Sequence, residues 1–309
     1  LITARSGIRI GAGQSVSAVS GIVTYYGDGS QLSGVESGVS NFVASGAIAN
    51  GQTVVIKTDG TVGIVTQTGS ASPSLGTPVV FHSAGSNYIR AIHDSNSNRI
   101  VVAYRDVADN KGRAVVGTVS GSSISFGSEV QFETGDTDWL AITFDSSSNK
   151  VVIAYRDQGN SEYGTAVVGT VSGTSISFGT PVVLDSASNA HFGLTFDSHN
   201  NRVVFTFRDA GNSNQGKAMV GTVSGTSIIN LGPEATFETG DTRWMADGVV
   251  FDSINNKVVV AYQDDGDSQK GKAVVGTVDP SNNNISFGSP VEFESGATIF
   301  NLSLLENSK

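Results

Sequence analysis

The fold is decided by the stretch Phe144-Asp-Ser-Ser-Ser-Asn-Lys-Val-Val-Ile-Ala-Tyr-Arg-Asp157, which is followed by Gly164-Thr-Ala-Val-Val-Gly-Thr-Val-Ser-Gly173. It is one copy of a unit that occurs four times in full, and the other copies begin at His93, Phe196 and Phe251. The glycine of the Val-Gly-Thr-Val segment recurs at spacings of 52, 52 and 55 residues, at Gly117, Gly169, Gly221 and Gly276. Self-similarity at such a period is typical of a repeat architecture.

The composition favours strands over helices and narrows the possible function classes. The 309 residues include 38 glycines, and Ser, Thr, Asn and Val are plentiful, as expected for strands joined by tight turns. The chain has no cysteine, which excludes disulfides and thiolate metal sites. A net charge of −10 argues against nucleic-acid binding, because that requires clustered Lys and Arg. No apolar run is long enough to predict membrane insertion.

Each repeat is predicted to contain four antiparallel strands, which in the second copy span residues 139–144, 150–155, 165–171 and 175–184. Asp145 and Asn149 frame the first turn, where Asx side chains bond the backbone, and Ser172-Gly173-Thr174 forms a tight turn before the fourth strand. Residues 151–155 are apolar at successive positions, so we expect both faces of that strand to be buried under neighbouring sheets.

Four-stranded units of about 50 residues, covered on both faces, predict an all-β protein with the blades of a β-propeller. Residues 300–309 match a first strand and its turn, with Glu306 in register with Asp145. The missing strands are predicted at 53–58 and 61–66, a hairpin with Asp59-Gly60 between its strands, and at 77–81. We therefore predict a five-bladed propeller over residues 46–309, closed by the two chain ends sharing one blade. Residues 1–45 are predicted to be a glycine-rich β anchor.

The most distinctive side chains fall at one position, six residues before the acid of the first turn. They are Tyr88, Trp139, His191, Phe300 and, in a repeat with a two-residue insertion, Trp244. This position begins the innermost strand at the mouth of a propeller channel, so we predict a ring of five flat side chains there. Such faces stack on sugars, and the alternative is that they wedge between blades as core.

A second recurrent feature is the arginine near the end of each second strand. It occurs at Arg105, Arg156 and Arg208, and Gln263 replaces it in the fourth repeat. Guanidinium groups form bidentate pairs with carboxylates, so these arginines are candidates for binding an acidic glycan. The alternative, favoured by their repetition, is that each arginine pairs with a neighbouring aspartate or caps a loop.

Cation binding and catalysis have weaker support. The turns Asp94-Ser-Asn-Ser-Asn98 and Asp252-Ser-Ile-Asn-Asn256 lack the glycine and the bidentate glutamate of calcium loops. The acidic segments 133–138 and 238–243 are better cation candidates, although we predict no metal or cofactor. Nucleophile-elbow, phosphate-loop and zinc-protease motifs are missing from the sequence, and its four histidines fall at unrelated phases of the repeat. Propeller glycosidases use paired carboxylates, whereas the carboxylates here are mostly shared between repeats. We therefore expect no enzymatic activity.

The repeat, as in Val168-Gly-Thr-Val-Ser-Gly-Thr-Ser-Ile-Ser-Phe-Gly-Thr-Pro-Val-Val183 with Val151-Val-Ile-Ala-Tyr-Arg-Asp157, resembles repeat proteins of marine bacteriophages, including cyanophages. The segment Gly21-Ile-Val-Thr-Tyr-Tyr-Gly-Asp-Gly-Ser-Gln-Leu-Ser-Gly-Val35 is similar to the glycine-rich joints of phage fibres, a short motif that recurs widely. Together these resemblances cover most of the chain and imply a virion appendage or surface protein. They carry over no active site. In architecture alone the chain is also similar to five-bladed animal lectins.

Three functional hypotheses follow from the repeat and the resemblance. In the first, the chain is a virion structural protein that is anchored through residues 1–45 to other virion proteins, as a trimer or on a capsid or tail partner. Its propeller would then contact a host surface glycan. In the second, it is a free lectin-like binding module, and in the third a glycan-cleaving enzyme.

Overall fold

The structure is a computed structural model that describes residues 44–48, 54–57, 61–64, 76–243, 245 and 248–298. The chain divides into two compact units, Leu1–Pro73 and Ser74–Lys309. In the first unit, β1 (Val54–Ile56) and β2 (Val62–Ile64) pair antiparallel, which confirms the predicted hairpin. The predicted strand over residues 300–309 and most of the 1–45 segment lie outside the described residues.

The second unit is built from antiparallel strands, and the all-β prediction is confirmed. Among its described residues the one helical element is a 3-10 turn at Gln158–Asn160, and none is long and apolar enough to cross a membrane. The strands are β3 (Ser86–Asp94), β4 (Arg99–Asp106), β5 (Lys111–Ser120), β6 (Ser123–Phe126), β7 (Val130–Asp145), β8 (Lys150–Asp157), β9 (Tyr163–Ser172), β10 (Ser175–Phe178), β11 (Val182–Asp197), β12 (Arg202–Asp209), β13 (Gln215–Ser224), β14 (Ser227–Ile229), β15 (Ala235–Glu238), β16 (Thr242–Arg243), β17 (Val249–Asp252), β18 (Lys257–Asp264), β19 (Lys270–Asp279), β20 (Asn284–Phe287) and β21 (Val291–Glu294).

Four repeats follow one another through strands that they share. The first half of β7 pairs with β5 and ends repeat 1, and its second half pairs with β8 and begins repeat 2. Strand β11 joins repeats 2 and 3 in the same way. Repeat 4 comprises β16 to β21. The beginnings of the repeats, on β3, β7, β11 and β17, pack side by side as inner strands.

The predicted fourth strand over 175–184 is wrong in detail. It consists of two pieces, β10 and the start of β11, which pair with opposite halves of β9. Pro181 lies between the pieces and has no N–H to donate to a ladder. The predicted strand at 77–81 is not formed, because no described strand pairs with these residues.

The second strand of each repeat is the centre of the core. Residues 151–155 on β8 and 203–207 on β12 are fully buried on both faces, as the continuous apolar sequence predicted. The first turn also forms as predicted: Asp145 Oδ1 accepts hydrogen bonds from the amides of Ser147 and Ser148, at 2.8 and 3.0 Å. Asp94 and Asp252 hold their turns in the same way, so the calcium-like motifs are turn caps.

The repeated glycine of the Val-Gly-Thr-Val segment makes room for the large side chains beside it. A Cβ built at Gly169 would lie 2.7 Å from Ile176 Cδ1 and 2.9 Å from Phe178 Cε1. Gly117 and Gly276 face an isoleucine and a phenylalanine in the same manner. These glycines therefore recur because the core leaves no space for a side chain.

Neighbouring repeats make one recurrent contact. The glycine in the connection before β7 or β11 lies against a turn of the next repeat. A Cβ at Gly127 would overlap the carbonyl oxygen of Thr174, and a Cβ at Gly179 would overlap that of Thr226. A phenylalanine then packs on an aromatic ring of that repeat, as Phe132 does on Tyr155 at 5.4 Å. Residues 76–82, here called the entry segment, dock on repeat 1 in the same way. A Cβ at Gly76 would overlap the carbonyl of Ser122, and Phe81 lies 5.2 Å from Tyr104.

We expect Gly179→Ala to lower the free energy of unfolding by about 3 kcal/mol or more, because the new methyl group would displace the backbone at Thr226. Gly173→Ala is the matched control, since Gly173 has φ of 62° and open space around its Cα. It should cost only about 1 kcal/mol of backbone strain. Urea denaturation measures both, and equal losses would contradict the close approach of repeats 2 and 3.

Candidate ligand-binding face

Three of the five predicted flat side chains are described, and each lies at a β-bulge that begins an inner strand. Tyr88, Trp139 and His191 have φ of 51°, 52° and 52°, in the left-handed region that L-residues rarely adopt. The ladder register shifts at each of these positions. Trp244 and Phe300 lie outside the described residues, so the complete ring stays a prediction.

The three rings form a row. The centroid of Trp139 lies 5.3 Å from that of Tyr88 and 4.0 Å from that of His191. His191 is buried, whereas Tyr88 and Trp139 are half-buried and pack against the hydrophobic core. Trp139 therefore packs between two neighbouring rings, both tilted against it. This contact fits the alternative that these side chains wedge between blades as core.

Two predicted arginines meet at one carboxylate. Asp138, directly before Trp139, is buried and lies 3.1 Å from Arg105 Nη1 of repeat 1 and 2.8 Å from Arg156 Nη2 of its own repeat. Gln158 also donates to Asp138. Asp138 thus joins two repeats, and the guanidinium groups remain partly accessible, with side-chain exposures of 18% for Arg105 and 19% for Arg156.

The third predicted arginine pairs with a carboxylate in the connection between β15 and β16, which joins repeats 3 and 4. Arg208 Nε and Nη2 donate to the two carboxylate oxygens of Asp241, at 3.0 and 3.2 Å. Gln263, which replaces the arginine in repeat 4, donates to the carbonyl of Thr298. All three arginines therefore have carboxylate partners, as the structural alternative predicted.

The position before each flat side chain differs in charge from repeat to repeat. It holds Asn87, Asp138, Ala190 and Arg243. Arg243 was missed by the sequence reasoning because it has no counterpart in the other repeats. It pairs with Asp265 at 3.0 Å, and its charge reaches His191. Burial, together with Arg208, Arg243 and Arg156, lowers the pKa of His191 to about 3, so this ring is neutral near pH 7.

The acidic segments proposed for cation binding have structural partners instead. Glu133 Oε2 accepts from the buried Tyr155 hydroxyl at 2.8 Å, and Glu133 Oε1 accepts from the amides of Thr134 and Gly135. Glu238 repeats this arrangement with Tyr262 at 2.9 Å. Within the part of the chain that the structure describes, no group of three His, Asp or Glu side chains could hold a metal ion. Both glutamates lie in a Phe-Glu-Thr-Gly-Asp-Thr sequence, at 132–137 and 237–242, and this repeated sequence indicates the contact with the tyrosine.

The aspartate ending each second strand caps the following loop, and in three repeats a cation from the third strand lies near it. Arg113 Nε lies 3.0 Å from Asp106, and Lys272 Nζ lies 2.5 Å from Asp264. Burial and the nearby Asp185 raise the pKa of Asp209, and the charge of Lys217 opposes this rise. In repeat 2 the cation is replaced by Thr165, which is buried. Burial and the nearby Glu133 raise the pKa of Asp157 above its ordinary value.

A cleft of about 420 Å³ lies at the opposite ends of these strands, between repeats 3 and 4. Arg202, which lines it, donates to Asn283 Oδ1 at 2.5 Å and to the carbonyl of Pro280 at 2.9 Å. This arginine therefore links repeats 3 and 4.

We expect Thr165→Lys to raise the free energy of unfolding at about pH 7 by about 1 kcal/mol, because it supplies the missing cation beside Asp157. In the wild type, the raised pKa of Asp157 means that its ionisation costs stability as the pH rises through that pKa. In the Thr165→Lys protein, the free energy of unfolding should fall less as the pH rises through this range. Urea denaturation as a function of pH measures both effects.

The control for this prediction is Lys272→Thr, which copies repeat 2 into repeat 4. It should lower stability, because Asp264 loses the ammonium group that lies 2.5 Å away. A Thr165→Lys protein whose stability falls more steeply with pH than that of the wild type would refute the proposed role of Asp157.

No protein-family model and no curated relative matches the chain. Two similar solved structures are a protein from Lactobacillus plantarum and an endo-1,4-beta-xylanase from Bacteroides thetaiotaomicron. The first is 15% identical with a TM-score of 0.40 and covers 62% of this chain, which spans about half (52%) of that protein. The second is 9% identical with a TM-score of 0.39, and the match covers 72% of this chain and 80% of the xylanase chain. At these TM-scores the likeness carries no conclusion about function.

Proposed function

We propose that this chain is a non-enzymatic virion structural protein whose repeats form an attachment module for a host-surface glycan. The observation that carries the attachment role is the meeting, at one end of the repeats, of the Tyr88–Trp139–His191 row with the partly accessible guanidinium groups of Arg105 and Arg156. The half-buried rings offer apolar contact area to a sugar, and the guanidinium groups suit the carboxylate groups of an acidic glycan. The virion role depends on the sequence resemblance, with residues 1–45 as anchor and a trimer as the assembly.

We further propose that a fifth blade, made from the hairpin β1–β2, the entry segment and residues 300–309, closes the repeats into a ring. The docking of the entry segment on repeat 1, which matches that between repeats, supports this. Two exposed apolar side chains of repeat 4 also support the fifth blade. Val275 is 48% exposed and Phe293 is 51% exposed, whereas their equivalents in repeat 3, Val220 and Phe237, are 0% and 5% exposed. An apolar sheet face of this kind requires a cover, and the chain ends supply matching strands.

A comparison of two equivalent phenylalanines tests the closure. Phe237→Ala should lower the free energy of unfolding by about 3–5 kcal/mol, the usual cost of emptying a buried site. If a fifth blade covers repeat 4, Phe293→Ala will cost a similar amount in the full chain. A loss of less than about 1 kcal/mol at Phe293 would show that this face is open to solvent.

The attachment role is tested with the full chain on an array of acidic and neutral glycans. We expect binding to acidic glycans that falls at least tenfold in Arg105→Gln and Arg156→Gln, about 1.4 kcal/mol per arginine. Arg202→Gln, at the opposite end of the repeats, is the control and should bind as the wild type does. If no glycan binds, the aromatic row and the arginines are purely structural.

Two further measurements separate the alternatives. Gold-labelled antibody against the chain should decorate phage particles in electron micrographs, and glycan binding without decoration would favour a free lectin-like module. Release of sugar products that is lost in a single carboxylate variant such as Asp138→Asn would establish the enzyme alternative.

A further inference from the structure

The entry segment is not a strand, but its glycine and phenylalanine dock on repeat 1 as those of residues 127–132 dock on repeat 2. It differs at the residue after the phenylalanine. Where Glu133 and Glu238 accept a hydrogen bond from a buried tyrosine, the entry segment has His82. The tyrosine of repeat 1 is present, and Tyr104 Oη lies 3.3 Å from His82 Nδ1. An acceptor carboxylate has thus been replaced by a side chain that gains charge near neutral pH.

Two carboxylates of repeat 1 face the two nitrogens of this imidazole. His82 Nδ1 lies 2.8 Å from Glu129 Oε1, and Nε2 lies 3.3 Å from Asp106 Oδ1. The His82 side chain is only 8% exposed. A neutral imidazole has one N–H and can donate to one carboxylate, whereas the imidazolium can donate to both.

The other charged and titratable groups around His82 are partly compensated among themselves. Arg113 on β5 lies 3.0 Å from Asp106 Oδ2 and 2.6 Å from Asp109 Oδ2. Glu129 precedes β7, and its charge acts on both Tyr104 and His82. Glu129 has no cation within salt-bridge distance other than His82 in the described part of the chain, so loss of the imidazolium leaves it beside the Tyr104 hydroxyl alone.

We propose that His82 is a pH-sensitive latch: its protonated ring fixes the entry segment to repeat 1 through Glu129 and Asp106, and its deprotonation loosens that segment. Phe81 and Gly76 hold the segment by packing at all pH values, so the latch changes the strength of docking and leaves the repeats themselves folded. The latch requires neither glycan binding nor a virion role.

The direction of the pH dependence follows from linkage. The hydrogen bond and charge of Glu129 raise the pKa of His82 above 6.5 despite its burial, with a smaller contribution from Asp106. The ion pairs therefore contribute their full stability below about pH 6.5 and lose it as the pH rises through the raised pKa.

The test is chymotryptic cleavage after Phe81 in the full chain between about pH 6 and about pH 8.5, expressed as protection, which is the cleavage rate of a free peptide of the same sequence divided by that of the segment. We expect protection in the wild type to fall several-fold over this range while β8 and β12 stay uncut. In His82→Gln the protection should be low and independent of pH. NMR titration of the imidazole should show the raised pKa.

His199→Gln is the matched control, because His199 is exposed on a turn between β11 and β12 and should leave the pH dependence intact. Glu129→Gln supplies a second variant should His82→Gln fold poorly, and it should weaken the pH dependence while retaining the ring. Wild-type protection that does not change with pH, or the same change in His82→Gln, would overturn the latch.

Discussion

The structure depends on covering both faces of β8 and β12, the second strands of repeats 2 and 3, with neighbouring sheets. Strand β8 is apolar at successive positions and has no polar face to turn to water, so repeat 2 requires repeat 1 on one side and repeat 3 on the other. The approach is close enough that only a glycine fits where Gly127 and Gly179 cross a turn of the next repeat. Packing of Phe132 on Tyr155 then fixes the position of the neighbour. One sequence pattern specifies both the strand and its contact.

Charges reinforce these boundaries unevenly. Arg99 and Arg202 reach backbone carbonyls of the next repeat, at Gly173 and Pro280, whereas Lys150 and Lys257 bond threonines of their own repeat. At the other end Arg105 crosses to Asp138 of the next repeat, whereas Arg208 pairs with Asp241 in the connection between β15 and β16. Repeats 1 and 2 are therefore joined by arginines at both ends, and repeats 3 and 4 at the end that carries Arg202. At that end, arginine and lysine alternate from repeat to repeat.

The side chains of the proposed ligand-binding face also make contacts that hold the fold together. The arginines hold buried carboxylates, and the rings pack on one another, so a ligand would meet a preformed surface of fixed side chains. Such a surface loses little entropy on binding, which suits weak contacts multiplied over many copies on one particle. Because these side chains hold the fold together, we expect a substitution there to lower stability as well.

The sequence by itself determined the repeat, the strand order within it, the hairpin and the turn caps, because each follows from local alternation or from an Asx side chain bonding its own turn. It also found the flat side chains at one position. Only the tertiary contacts show that β7 and β11 each serve two repeats and that Asp138 joins two arginines. Those facts depend on which side chains of separate repeats come within hydrogen-bond distance. The pattern within one repeat contains no information about its neighbour's side chains. The role of His82, which stands where other repeats have Glu, is therefore visible only from its contacts with Glu129 and Asp106.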